Sequence, residues 1–225
     1  FGKILKWLKM NIFIDANIVY KDPFFQKSYP KKLLEYAEEG IITIYLLDLI
    51  QDEIKNNYKK ELQIEYSKYS TAVNNLNEFL PKSKRVEKEN IEIDSYVKEL
   101  NNFYNELILN GSIKVIEYSN ELLPKLIGRS ILKKKPFDTN KTELRDATFW
   151  LAICDYIDDN DLDECVLLTK NTKDFFNKDT NDLHGDLRED NNEIEVFKFK
   201  KKTSDAYDEI LAPEDADKNL DDLLA

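Results

Sequence analysis

Histidine is almost absent from this chain: His184 is the only one. That excludes a multi-histidine zinc centre and any nuclease chemistry built on a histidine pair. Cysteine is limited to Cys154 and Cys165, so there is no disulfide framework and the expected compartment is a reducing cytoplasm. The five glycines do not form a Walker-type phosphate loop. No apolar run approaches the roughly 18 uncharged residues that a membrane helix needs, so no membrane partner is expected. The opening FGKILKWLKM is too short in its apolar part for a signal peptide and lacks a small-residue cleavage site. Met10 is the sole methionine. Residues 1–9 read as an upstream extension, or as an amphipathic lead-in packing Ile4, Leu5, Trp7 and Leu8 onto the domain.

Charge is abundant. Charged residues make up 34% of the chain, against the usual ~25%, and the net charge is −11. Taken whole, that charge argues against a nucleic-acid partner, but its distribution does not. Residues 203–225 hold eight acids and one base, a net −7, so the body 1–202 carries only −4 from 36 acids and 32 bases. Basic clusters persist in the body: Lys55, Lys59 and Lys60; Lys82, Lys84, Arg85 and Lys88; Arg129 with Lys133, Lys134 and Lys135; then Lys141 and Arg145. Such runs are usually solvated helix faces; the alternative is a surface that tracks a phosphate backbone. The acidic tail 203–225 is too sparse for core and is expected either to be mobile or to dock on basic surface, masking it. Its removal should then raise affinity for a polyanion.

Apolar patterning alternates short β-like runs with longer helical ones. Strands are expected near 11–15, 41–47, 164–169 and 193–200, and 113–118 reads equally as a third strand or a linker. Helices are expected over 30–39, from 48 to about 80, over 91–109, 120–132, 142–157 and 171–177. Asp48 and Gln51 resemble a capping box. Nearly continuous apolar character in the strands, with helices between them, indicates an α/β domain with a parallel sheet.

In open α/β sheets, ligands gather beyond the carboxyl ends of the strands. Four acids fall there: Asp15 closes IFID, Glu53 lies early in the helix after the second strand, Asp146 starts the apolar helix LRDATFWLAI, and Asp174 follows LLTKNTKDF. Each alone has a plain structural reading. Asp15 could hold a turn, Glu53 could be an exposed helix residue with Asp52 as its rival, Asp146 could pair with Arg145 or Lys141, and Asp174 could cap a short helix. Together they suit Mg²⁺ or Mn²⁺, which prefer oxygen ligands, and the chemistry is phosphodiester hydrolysis.

IFIDANIV resembles the opening strand of PIN-domain ribonucleases (PilT N-terminus, VapC-like), an apolar strand ending in Asp-x-Asn. LLTKNTKDF resembles the late motif of that family, LRDATFWLAI the third and LLDLIQDEI the second, in family order. The resemblance implies a three-layer α/β/α fold over residues 10–202 with a central, mostly parallel sheet and a helical insertion at about 58–110. It implies a metal-dependent endoribonuclease using Mg²⁺ or Mn²⁺ on RNA, in a toxin–antitoxin or phage-defence setting, with a homodimer or a regulatory protein as further partners. Asp15, Glu53, Asp146 and Asp174 would bind metal. Asn17 would orient Asp15, while Thr169 and Asn171 would support Asp174 or an attacking water. Lys133, Lys134 and Lys135, with Arg129 and Arg145, are the candidate phosphate contacts. The departure is size, since about 93 residues separate Glu53 from Asp146. Two other readings stay open: a catalytically silent module binding RNA or protein, and a flap-type DNA nuclease. A haloacid-dehalogenase-like phosphatase is disfavoured because position 17 is Asn rather than Asp.

Overall fold

The computed structural model describes residues 10–137, 143–177, 182–191 and 194–198. The lead-in 1–9, Lys141 and the acidic tail lie outside them. β1 (Met10–Ile14) is buried at all five positions, as a strand covered on both faces must be. β2 (Ile42–Leu47) and β4 (Cys165–Thr169) flank it, and β3 (Ile113–Ile116) and β5 (Glu195–Lys198) form the edges. All four pairings are parallel, giving the order β3-β2-β1-β4-β5.

The chain steps outward from β1 to β2 to β3, then crosses to the other side of β1 with β4. The order therefore reverses between β1 and β4. There Ile14 is opposite Leu168, and the Asp15 amide donates to the Leu168 carbonyl at 3.0 Å. A crevice outside the strand ends is expected at such a reversal.

The helices are α1 (Ala16–Val19), α2 (Ser28–Glu38), α3 (Asp48–Phe79), α4 (Ile93–Leu109), α5 (Leu122–Leu132), α6 (Leu144–Asn160), α7 (Thr172–Phe175) and α8 (Gly185–Arg188). α2 and α4 stop where Gly40 (φ +74°) and Gly111 (φ +84°) take the left-handed conformation that glycine adopts without strain. α6 is buried along most of its length, and its Trp150 is fully enclosed against Phe175. Trp150 Nε1 donates to Asp190 Oδ2 at 2.8 Å.

One local reading needs correction. Asp48 does not cap α3: Leu47 is the N-cap residue, and the Asp48 carboxylate turns back to the Leu49 amide at 2.6 Å. α3 is one continuous helix of 32 residues, as expected from 48 to about 80. The polar stretch after Asn177 also holds a short helix, α8, whose N-cap His184 accepts from the Asp186 amide.

Candidate active site

β1 ends at Ile14, and its next residue, Asp15, caps the single turn of α1. Thr169, the fully buried last residue of β4, donates to Asp15 Oδ2 at 2.6 Å. The Asn17 side-chain amide donates to the same oxygen and to Thr169 Oγ1 at 3.2 Å. Asn17 is itself held by the Lys170 amide, at 2.8 Å from its Oδ1. Lys170 Nζ completes the clasp on the carbonyls of Asn17 and Ile18. Two strands joined side by side thus lock one carboxylate in place.

Glu53 enters from α3. Its Oε1 accepts from the Tyr20 hydroxyl and, at 2.6 Å, from Arg145 Nη1. Its Oε2 is buried and has no hydrogen-bond partner among the described residues. The rival Asp52 points away: its side chain is 74% exposed and it pairs with Lys55. Asp146 is buried in the first turn of α6. Its Oδ1 faces Arg145 Nε and Nη2, both at 3.3 Å, and its Oδ2 accepts from Asn171 Nδ2 at 2.8 Å. Asp174 lies in α7, close enough for its charge to act on Asp146.

The electrostatics link the four acids. Burial raises the Asp15 pKa against the hydrogen bonds of Thr169 and Asn17. Burial also raises Glu53, opposed by Arg145 and reinforced by the charges of Asp15 and Asp146. Asp146 is pushed up to about 6, first by burial, with Arg145 opposing and Asp15 and Asp174 adding repulsion. Carboxylates crowded into a low-dielectric crevice resist ionising together unless a cation offsets them. The cation present is the guanidinium of Arg145, which bridges Glu53 and Asp146 with its side chain 52% exposed.

Among the described residues no three acids are drawn together as a ready-made metal cage; Glu53 and Asp146 pair with Arg145. The donor set still fits a hard divalent cation. It is all oxygen, it is under-compensated, and it includes an acceptor, Glu53 Oε2, that burial has stripped of water without replacing it. Beside it, between Leu49, Tyr118, Leu126, Leu144, Arg145 and Thr148, opens a cavity of about 820 Å³.

Thr169 bonds Asp15 and Asn171 bonds Asp146; the expectation that they support Asp174 or an attacking water is not decided by these contacts. Tyr20 and Lys170 were not anticipated. Their only sequence signal is proximity to the motif residues, because a phenol six positions beyond Ile14 carries no chemical signature of its own.

Arg129 is corrected outright as a phosphate contact. It is 6% exposed, ion-paired with Asp190 at 2.7 Å, and donates to the Lys135 and Asp186 carbonyls. It ties the end of α5 to the segment before β5. Replacing it with lysine, which keeps the charge but loses the planar fork, should lower stability by about 1–2 kcal/mol. Denaturant unfolding of the variant beside the wild type checks it.

Lys133 is exposed, Lys134 pairs with Glu189 at 2.7 Å, and Lys135 Nζ reaches the Lys173 carbonyl, next to Asp174, at 3.3 Å. The basic loop therefore borders the acid cluster. No helix among the described residues is long and apolar enough to cross a membrane.

A family model described as a PIN domain matches residues 12–175, well over half of the chain. The match spans all four acids. No curated protein matches the sequence significantly.

Proposed function

The chain belongs to the PIN-domain family, and from that membership we propose that it is a metal-dependent endoribonuclease. PIN domains are generally nucleases that use divalent metals; RNA as substrate and Mg²⁺ or Mn²⁺ as the ion are the finer reading. The observation that supports it is the buried, partnerless Glu53 Oε2 beside Arg145, which also meets Asp146, with Asp15 and Asp174 close enough for their charges to act on Asp146. Asp15, Glu53, Asp146 and Asp174 would hold the ion. When bound, such an ion polarises a nonbridging phosphate oxygen and makes an attacking water more acidic.

The chain's own groups do the positioning. Asn17 and Thr169 hold Asp15 in one rotamer, Asn171 holds Asp146, and Tyr20 holds Glu53. Half-exposed Arg145 offsets the charge of Glu53 and Asp146, and with an ion bound there it would be the residue to contact a substrate phosphate. Lys133, Lys134 and Lys135 would follow the strand past Asp174.

The test is a panel of single-stranded RNA, single-stranded DNA and branched DNA, incubated with Mn²⁺ and with a chelator. Chelator-sensitive cleavage of RNA alone is expected. Preference for branched DNA would favour a flap-type nuclease, and no cleavage of any substrate would favour a silent binding module.

Arg145→Ala gives a separate prediction. Without the guanidinium, Glu53 and Asp146 repel unscreened, so the metal-free thermal midpoint should fall by a few degrees. Stabilisation by Mn²⁺ should grow, because the ion then meets no internal competitor. Thermal melts with and without Mn²⁺ measure both, and a smaller Mn²⁺ effect in the variant would rule the competition out.

A further inference from the structure

α3 begins at the acid cluster and then leaves the domain. Glu53, Ile50 and Ile54 are held in the body, and Lys59 still meets Asp94 at the start of α4. Beyond residue 59 the helix is solvent-exposed on most sides, with Val73 its only buried side chain. Its distal part is braced by its own returning chain. Asn77 exchanges hydrogen bonds with the backbone of Val86 at 2.8 and 2.9 Å. Lys88 reaches Ser70 at 3.2 Å and lies over the Tyr66 ring, and the Tyr66 hydroxyl donates to Asn90 at 3.0 Å. The result is a rigid arm rather than a loose loop.

The tip of that arm differs in composition from the rest of the chain. Residues 79–88 carry four bases (Lys82, Lys84, Arg85, Lys88) against one acid, Glu87, a local +3 on a chain of −11. All of residues 81–90 are exposed. Phe79 stands beside them with 85% of its surface in water, and Leu76 (49%) and Val86 (44%) flank it. An exposed aromatic ring among exposed cations is the composition of a single-strand nucleic-acid contact, in which a base stacks on the ring and phosphates follow the charges.

We propose that the arm tip, formed by Phe79 with Lys82, Lys84 and Arg85, is a second RNA-binding site that anchors the substrate strand at a fixed distance from the cleavage centre. This rests on the ribonuclease reading of the acid cluster. Twenty-six residues of continuous helix separate Glu53 from Phe79, about 39 Å at ~1.5 Å per residue. A stacked strand rising ~3.4 Å per nucleotide spans that in roughly eleven nucleotides. The arm thus acts as a ruler: long single strands engage both sites, and very short ones engage only the acids.

The experiment compares the full chain with a Lys82→Glu/Lys84→Glu/Arg85→Glu variant and with Phe79→Ala, all on exposed positions, with far-ultraviolet dichroism to confirm the fold. Each is tested with Mn²⁺ on an RNA of about twenty nucleotides and on a tetranucleotide, and titrated with the longer RNA in chelator at several salt concentrations. Reversing three charges should weaken binding of the long RNA by ~10-fold or more and reduce the salt slope by about 2. Phe79→Ala should weaken it several-fold at an unchanged slope. Cleavage of the tetranucleotide should not change in either variant. Equal effects on both RNAs, or no effect on the long one, overturns the anchor. So does a loss of binding to anionic phospholipid vesicles without a loss of RNA binding, which would make the tip a membrane contact. A wild type that cleaves neither RNA removes the nuclease reading, while the titration in chelator still decides the arm on its own.

Discussion

Replacing Asp15 with asparagine is expected to lower Mn²⁺-dependent RNA cleavage by at least ~10²-fold, and to make the metal-free protein more stable rather than less. The two effects share one cause. Asp15 is buried, and burial outweighs its hydrogen bonds, so its pKa is raised in the metal-free state. Ionised, it is a desolvated charge kept for a purpose other than folding. Asparagine has nearly the same shape, and its carbonyl oxygen can take the Oδ2 position, keeping the contacts to Thr169 Oγ1 and Asn17 Nδ2. Its amide nitrogen then replaces Oδ1 opposite the Asn17 backbone amide, a contact already long at 3.4 Å. Relief of desolvation should exceed that loss and raise the metal-free midpoint by a few degrees. An ion that needs a carboxylate gains nothing from the amide, so stabilisation by Mn²⁺ should fall sharply. Cleavage equal to wild type would remove Asp15 from the chemistry. A lower metal-free midpoint would make it a turn residue.

A reversal of pH dependence by metal should be nearly as large. The Asp146 pKa stands at about 6 in the folded chain against an ordinary 3.8, because burial and the charges of Asp15 and Asp174 outweigh Arg145. The folded state then holds its proton more tightly than the unfolded state. The stabilising contribution is complete below 3.8 and is lost as pH rises through about 6, a change of about 3 kcal/mol from this group. Asp15 and Glu53 are raised too and act in the same direction. Metal-free protein should therefore melt higher near pH 5 than near pH 7.5 on account of this cluster. A divalent ion competes with those protons, so its stabilisation should be slight near pH 5 and large near pH 7.5. Melts at the two pH values, with Mn²⁺ and with chelator, measure the crossing, and Asp146→Asn should flatten both limbs. Equal Mn²⁺ stabilisation at the two pH values would show that the ion does not displace the Asp146 proton.

Where the sequence reading succeeded, the determining interactions are local. The buried runs MNIFI and CVLLT can be satisfied only as strands covered on both faces, and glycines at 40 and 111 end helices by backbone geometry alone. The apolar sides of LRDATFWLAI likewise require a buried helix, with Asp146 in its first turn. Those short-range constraints are enough to list Asp15, Glu53, Asp146 and Asp174 as strand-end or helix-start acids. The family resemblance rests on the same stretches.

What the sequence could not supply depends on long-range pairing. Thr169 and Asp15 are 154 positions apart, and Arg145 and Glu53 are 92 apart. No spacing rule relates them; the strand order does, by setting β4 beside β1. Arg129 and Arg145 look alike in sequence, as bases close to a lysine-rich loop. Packing buries one against Asp190 and leaves the other half-exposed between two acids. Glu53 and Asp52 are adjacent, and only the helix phase fixed by buried Ile50 and Ile54 turns Glu53 inward. The sequence by itself determined the elements and the inventory of acids, because strand, helix and turn preferences act over a few residues. Tertiary structure alone decided which of those acids share a field and which cation answers them. That depends on burial and on charge separations of a few ångströms between segments far apart in the chain.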